Sequence, residues 1–391
     1  MKKIFLFVLV CFLFSALFAQ TTSKQYFDLG EKCPYDSIST PIAIGYYSKA
    51  IELDSNCTEC YLRRAWRKHD NDAFGALNDY VEALWMDANC FKCYNGIADY
   101  YCDVENNYDK ARENYYHALK VIKCESDQDY IEQSAIIQNI GMTYFLELGE
   151  DDIGRKKDRE IRLALWDSLI SENPLTQYYQ KRAQLRSDDL IRDTKGALED
   201  YLIVFDKTPH FGSDICWSIA YCYSSLGNYF QAIQYYNKVI ELRPKEYKNI
   251  PASSKLDAIY KNRGDCKMKL DDYRGAIEDY KSAIALHPKP DPKIIYYFNY
   301  QGIIPLYNSL AKARLMLDDY QNALTDLNKC LSLVAMNGKE QDADSDLADT
   351  YFLLGFSKIY LKNKDGACNA WSKSGELGNP NAYDQIKKYC K

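Results

Sequence analysis

The sequence predicts an all-α solenoid built from stacked antiparallel helix pairs. Three observations predict it. A small residue, a large ring four positions on and a second small residue three later recur along most of the 391 residues. Each such triplet follows an apolar stretch centred on its own alanine or glycine. Glycine and proline are few, 18 and 11, and no low-complexity linker divides the chain. Residues four and three apart share one helix face, so each triplet reads as a ring flanked by two points of close helix approach.

Met1-Lys2-Lys3 followed by the apolar run Ile4 to Phe18 and the small residue Ala19 has the form of a secretory signal, expected at 1–19. The run is too short for a comfortable membrane span, and no later window has the eighteen or so apolar residues of one. Cys11 is misplaced for lipidation, because Phe12, Leu13 and Phe14 continue the apolar run beyond it. Residues 20–40 form an N-terminal segment or partial repeat. Without Lys2 and Lys3, 47 basic residues face 55 acidic ones, a formal charge of −8. A modestly acidic surface disfavours nucleic acid and anionic lipid as partners.

The triplets come in order as Ala43/Tyr47/Ala50, Ala76/Tyr80/Ala83, Ala111/Tyr115/Ala118, Ala197/Tyr201/Val204, Ala232/Tyr236/Val239 and Ala276/Tyr280/Ala283. Ala323/Leu327/Cys330 and Ala367/Trp371/Ser374 complete them. The preceding helices centre on Ala65, Ala98, Gly141, Ala183, Ala220, Gly264, Ala311 and Gly355. Gly227-Asn228 and Asp271-Asp272 separate members of a pair, and Pro209, Pro244 and Pro288 are expected to close second helices.

At residue level this resembles the tetratricopeptide (TPR) family. Between Cys216 and Pro244 the signature is nearly complete, with Ile219, Ala220, Tyr223, Tyr229, Ala232, Tyr236, Val239 and Pro244. Tyr260 to Pro288 repeats it, although Lys267 stands where an aromatic residue is usual. Multi-point matches repeated along a chain are a specific signal. The resemblance implies a TPR solenoid over 41–378, wound as a right-handed superhelix of about eight pairs with a partial one at the N-terminus. A capping helix is expected at 379–391. The ending from Gly366 to Lys391 resembles the terminal repeat of exported TPR proteins from Bacteroidota.

Spacing is regular from Ala43 to Ala111 and again from Ala197 to Ala232. The gap between Ala111 and Ala197 requires a divergent pair around Gly141 and Leu163 to Trp166, with Asp151–Glu160 expected as a polar excursion between its helices. Extra residues at Lys245–Ser254, Lys289–Gly302 and Ala335–Asp346 are expected to lengthen helices or inter-repeat loops.

Nothing in the sequence points to catalysis or a cofactor. There is no phosphate-binding glycine loop, and His69, His117, His210 and His287 sit at unrelated repeat positions without metal-ligand spacing. The recurrent Asp-Tyr pairs fit the solvent and packing faces of second helices. Cysteine is the unusual component: 14 in all, 13 without Cys11, so at least one lacks an intramolecular partner. Cys57/Cys60 and Cys90/Cys93 are two CxxC pairs one repeat apart, each where a first helix begins. Local disulfides, a thiol–disulfide exchange site and a four-sulfur zinc site all fit this pattern. Cys368 and Cys390 lie equally far from Asn379, so a cap folding back antiparallel brings them together as a disulfide.

TPR proteins generally hold partners along the surface made by their first helices. Transferring the usual inward positions gives Trp217, Tyr221 and Ser224, then Lys261, Asp265 and Met268, then Asn308, Lys312 and Leu315, then Phe352, Phe356 and Ile359. Aromatic, amide and charged groups in mixture suit a binding groove, and packing at tight curvature accounts for large residues there equally well. Asp265 makes an anionic C-terminal peptide a poor fit. The expected function is a non-enzymatic cell-envelope scaffold or adaptor binding a protein or peptide, in the periplasm of a Gram-negative bacterium or secreted. A nutrient- or glycan-binding component is the second reading.

Overall fold

The computed structural model describes residues 22–149, 151–208, 212–246, 253–286, 300–335 and 344–390. Every regular element among them is a helix, and the helices form an all-α solenoid of antiparallel pairs. The chain divides into two compact units, one of 1–173 with 189–191 and one of 174–188 with 192–391.

The first unit contains α1 (22–31), α2 (Ser39–Leu53), α3 (Thr58–Lys68), α4 (Ala73–Met86), α5 (Phe91–Asp103), α6 (Tyr108–Val121), α7 (Asp127–Leu148) and α8 (Asp152–Glu172). The second contains α9 (Thr176–Arg186), α10 (Thr194–Lys207), α11 (Ser213–Ser225), α12 (Tyr229–Glu246), α13 (Ser253–Lys269), α14 (Tyr273–Leu286), α15 (Tyr300–Leu315), α16 (Tyr320–Ala335), α17 (Asp344–Tyr360), α18 (Lys364–Glu376) and α19 (Asn381–Tyr389). Odd and even members pair in order, and each pair packs on the next within its unit.

A repeated turn makes each reversal tight. A residue with positive φ, such as Asn106, Asp271, Asp318 or Lys362, ends the first helix. An aspartate or asparagine then caps the second: Asn107, Asp193 and Asn363 accept the backbone N–H three residues on, and Asp272 accepts that of Gly275 at 2.9 Å. Asn and Asp tolerate the left-handed region and satisfy orphan N–H groups, so two residues do the work of a loop.

The triplet residues form the core. Tyr47, Tyr236, Tyr280 and Trp371 are at most 1% exposed, between small residues that are fully buried. Their rings press against small residues of the paired helix. A Cβ on Gly264 would lie 2.8 Å from the Tyr280 ring, and one on Gly355 would lie 2.2 Å from the Trp371 indole nitrogen. These approaches require glycine.

Beside the ring sits a buried carboxylate that the sequence reading had given to the solvent and packing faces. Asp79, Asp200 and Asp279 are at most 4% exposed. Arg64 donates through Nε and Nη2 to the two oxygens of Asp79 at 2.9 and 2.7 Å, and Lys68 stands 3.0 Å away. Arg182 and Arg186 hold Asp200 at 2.6 and 3.0 Å. Arg263 and Lys267 hold Asp279 at 2.9 and 2.8 Å. A carboxylate leaves water at this cost only when paired and hydrogen-bonded. Lys267, in the place of the usual aromatic, is therefore one arm of this clamp.

Two expectations fail. Asp151–Glu160 is not an excursion: α8 starts at Asp152 and runs through Gly154. The reversal is completed by Gly149, at φ 99°, and by Asp151, which accepts the N–H groups of Ile153 and Gly154 at 3.0 Å. Gly154 fits because a Cβ there would meet the Gly149 carbonyl oxygen at 2.1 Å, and the polar residues after it are one face of a long amphipathic helix. Nor does Pro244 close α12, which continues to Glu246; a proline costs one ladder bond without barring the residues after it from helical geometry. Pro209 and Pro288 lie outside the described residues. So do most of the three insertions, whose described parts extend α12 and begin α13, α15 and α17.

Three disulfides are present, Cys57–Cys60, Cys90–Cys93 and Cys368–Cys390, with Cα separations of 5.3, 5.3 and 5.8 Å. Cys57 and Cys90 are helix caps whose sulfurs accept the N–H of Cys60 and Cys93 at 3.2 Å. All four sulfurs of the paired motif are thus in local covalent bonds. Among the described residues no group of three or more His, Cys, Asp or Glu side chains is placed to hold a metal ion. Seven further cysteines are thiols. Burial pushes those of Cys102 and Cys222 up to about 11 and that of Cys330 up to about 12, which makes them inert core residues. At the C-terminal end α19 lies over α18, with Ala382 fully buried and Tyr389 stacked 5.5 Å from Trp371.

Replacing Asp279 with alanine strands two cations at a buried position and is expected to cost roughly 3 kcal/mol, read as a lower urea midpoint. Glu278→Ala, on the exposed side of the same turn, is expected to change it by less than about 0.5 kcal/mol. An equal effect of the two would contradict the clamp. Cys390→Ser is expected to lower stability by about 3 kcal/mol in the loop-closure estimate and to speed amide exchange selectively in α19. Unchanged exchange there would show that packing alone holds the cap.

Candidate functional site

In the first unit the odd-numbered helices line a groove of about 570 Å³. Arg67 builds one wall. It donates to the carbonyls of Pro34 and Cys33 at 2.7 and 2.6 Å and lies 3.6 Å from the centre of the Tyr35 ring. The link between α1 and α2 is thereby pinned to α3, and Tyr35 is carried to the groove. Trp66, one position earlier on α3, has Arg63 at 4.9 Å and Lys92 at 5.4 Å from its ring. Phe91, Asn95 and Asp99 come from α5 and Glu132 and Ile136 from α7.

Asp99 is the most constrained polar group there. Tyr115 donates to its Oδ1 at 2.5 Å and Asn95 to its Oδ2 at 3.0 Å. Burial pushes the carboxyl above the ordinary range, against the opposing pull of the Tyr115 hydrogen bond and of His69. Burial also holds the Tyr115 phenol far above its usual value, and the Asp99 charge adds to this, so the tyrosine is a fixed donor. Tyr47 to Glu31 at 2.6 Å and Tyr280 to Asp265 at 2.7 Å repeat the pairing, second-helix phenol to first-helix carboxylate.

A second groove of about 410 Å³ lies in the second unit between α15 and α17 and is closed by Asn379 and Asn381. It brings together three of the twelve expected binding residues, Asn308, Lys312 and Phe352. Asn308 is fixed by donating to the Asp346 carbonyl at 2.9 Å and accepting from Thr350 at 2.8 Å, while Lys312 is exposed. Trp217 and Tyr221 stand exposed side by side on α11, 6.4 Å between ring centres. The Cys266 thiol donates to Ser224 at 3.4 Å. Lys261 and Asp265 pair with each other at 2.8 Å. Met268 and Leu315 pack against the core, and Phe356 and Ile359 against Trp371 and Ala382 beneath α19.

The first groove was missed by a reading that stopped at the last four repeats. Its signal was present: the offsets that lead from Ala220 to Tyr221 and Ser224 lead from Ala65 to Trp66 and His69. Those that lead from Gly264 to Lys261 and Asp265 lead from Ala98 to Asn95 and Asp99. Tyr35 carried no such signal, because the Arg67 clamp places it.

Residues 213–246, spanning α11 and α12, match the family model of a tetratricopeptide repeat. No curated protein matches the chain. Among solved structures the chain is similar to a tetratricopeptide repeat protein from Parabacteroides merdae, at 16% identity over 77% of this chain and 99% of that one, TM-score 0.40. It is also similar to the C-terminal part of a TPR repeat-containing protein from Cytophaga hutchinsonii, at 17% identity over 83% and 98%, TM-score 0.41. A third likeness is to a signal-transduction ATPase with a tetratricopeptide repeat sensor from Pyrococcus horikoshii, at 14% identity and TM-score 0.50. That match covers 96% of this chain and 53% of the ATPase, about half of its length. At this identity the likeness to the ATPase is one of fold. Residues 213–246 are thus similar to a tetratricopeptide repeat, and the described helices on either side of them repeat the same paired architecture.

Proposed function

We propose that the chain is a non-enzymatic scaffold or adaptor that holds a protein or peptide partner against the faces of its first helices. The observation that carries this is the pair of grooves on packed helices, the first lined by Tyr35, Trp66, Tyr80 and Phe91 with fixed amide and carboxylate groups and the second by Phe352 with the fixed amide of Asn308. Interfaces concentrate binding energy where aromatic anchors meet oriented polar groups. We further propose that residues 1–19 direct export and that the protein works in the cell envelope of a Gram-negative bacterium of the Bacteroidota. The apolar run after Lys2-Lys3 and three disulfides, which persist in oxidising compartments, support that reading. The exposed Trp217–Tyr221 pair supports the alternative of glycan binding, since flat rings stack on sugar faces.

Photo-crosslinking groups placed at Lys92 and Lys312 in living cells, with a matched pair at Glu52 and Glu278 on second helices, test the scaffold. The groove positions are expected to trap a defined set of proteins that the second-helix positions do not. Equal trapping from all four sites, or an oligosaccharide-dependent rise in melting temperature with no trapped protein, would overturn it. Protein recovered from the envelope is expected to begin at Gln20.

A further inference from the structure

Buried carboxylates in this molecule have a consistent fate. Asp79, Asp158, Asp200 and Asp279 are each met by two cationic side chains. The first-unit groove holds two carboxylates that are less deeply buried and lack such partners. Asp99 has two neutral donors, Tyr115 and Asn95, and among the described residues no lysine or arginine within ion-pair distance. Glu132, on the neighbouring helix α7, has a hydrogen bond from Gln128 at 3.3 Å and no ion pair among those residues. The cation that lines the groove, Lys92, is held elsewhere, over the Trp66 and Phe91 rings and toward Asp129.

We propose that this groove receives a lysine or arginine side chain from an extended segment of a partner protein. The cation would lie between Asp99 and Glu132, and its aliphatic stem would pack on Tyr35 and Phe91. This rests on the peptide-binding reading above and specifies the chemistry of one of its grooves. Two carboxylates on adjacent helices face one cavity without a cation of their own, whereas the buried carboxylates outside it are doubly paired. The phenol of Tyr115 and the amide of Asn95 hold Asp99 in place without forming an ion pair to it. Aromatic rings accept both the methylene stem of such a side chain and, through their faces, its charge. A volume of about 570 Å³ admits a long side chain together with its flanking backbone.

The test uses pools of short fluorescent peptides, randomised except for a fixed central residue that is lysine, arginine, norleucine or glutamate, titrated against the full folded chain. The lysine and arginine pools are expected to bind at least about tenfold more tightly than the norleucine pool, the size of one charge-assisted contact. The glutamate pool is expected to bind most weakly. Glu132→Gln, which keeps the size of the side chain and removes its charge, is expected to reduce that preference with melting temperature unchanged. Asp99→Asn is expected to abolish it. If Asp99→Asn fails to fold, the Glu132→Gln result decides alone. Trp66→Ala is expected to weaken every pool together. Binding of all pools alike, with no effect of Glu132→Gln, would overturn the inference and leave the peptide-binding reading standing. Binding of no pool, together with no groove-specific cross-link in cells, would overturn both.

Discussion

Each second helix drives one large side chain into a site that accepts nothing bulkier than glycine or alanine beneath it. Trp371 over Gly355 and Tyr47 over Gly30 are the tightest instances within a pair. An added methyl there would collide with ring atoms that have nowhere to retreat in a close-packed interior. The axial position of the two helices is therefore set at one point, and turn, cap and groove are measured from it. The two-residue reversal is short because the ring already holds the helices at contact distance. Most of the residues that line the grooves come from the first helices.

Next to the ring, the buried aspartate takes over orientation. A ring in a glycine notch leaves rotation about the contact nearly free, whereas a bidentate arginine grip has one geometry. Such buried ion pairs add little net stability over an apolar replacement, so their role here is to fix the register of one helix against the other. The Asp200 clamp, drawing on Arg182 and Arg186, differs in chemistry from those of Asp79 and Asp279, which use one arginine and one lysine. The geometry tolerates that change because the second cation meets the carboxylate through one nitrogen in each case, Arg186 and Lys68 at 3.0 Å and Lys267 at 2.8 Å, while the first arginine makes the bidentate grip.

The pairs were legible in the sequence because the signal is periodic and local: Ala232, Tyr236 and Val239 identify their helix wherever they occur. The turns were legible at Asp271-Asp272 for the same reason. What escaped depends on partners far apart in the chain. Asp79 reads as a surface residue until Arg64 and Lys68 are seen beside it, and Lys267 reads as a flaw in the motif until Asp279 explains it. Polarity misled at Gly154, where charged residues after a glycine describe a loop and an exposed helix face equally well. The site divides in the same way. Trp66 and Asp99 follow from repeat offsets, while Tyr35 is a groove residue only through Arg67. Phe356 and Ile359 have the offsets of binding residues and serve the packing of the terminal helix instead.

That terminal helix has one more effect. A solenoid grows by offering each new pair the same apolar surface that received the previous one, and nothing in that rule distinguishes the next pair of one chain from the first pair of another. With α19 laid across α18, Tyr389 against Trp371 and Cys390 bonded to Cys368, that surface is already occupied. A second copy arriving at this end meets lysines 387 and 388 rather than a vacant stacking face. The cap thus covers the face on which a further pair would stack, and the covalent bond holds it there when the last turn frays.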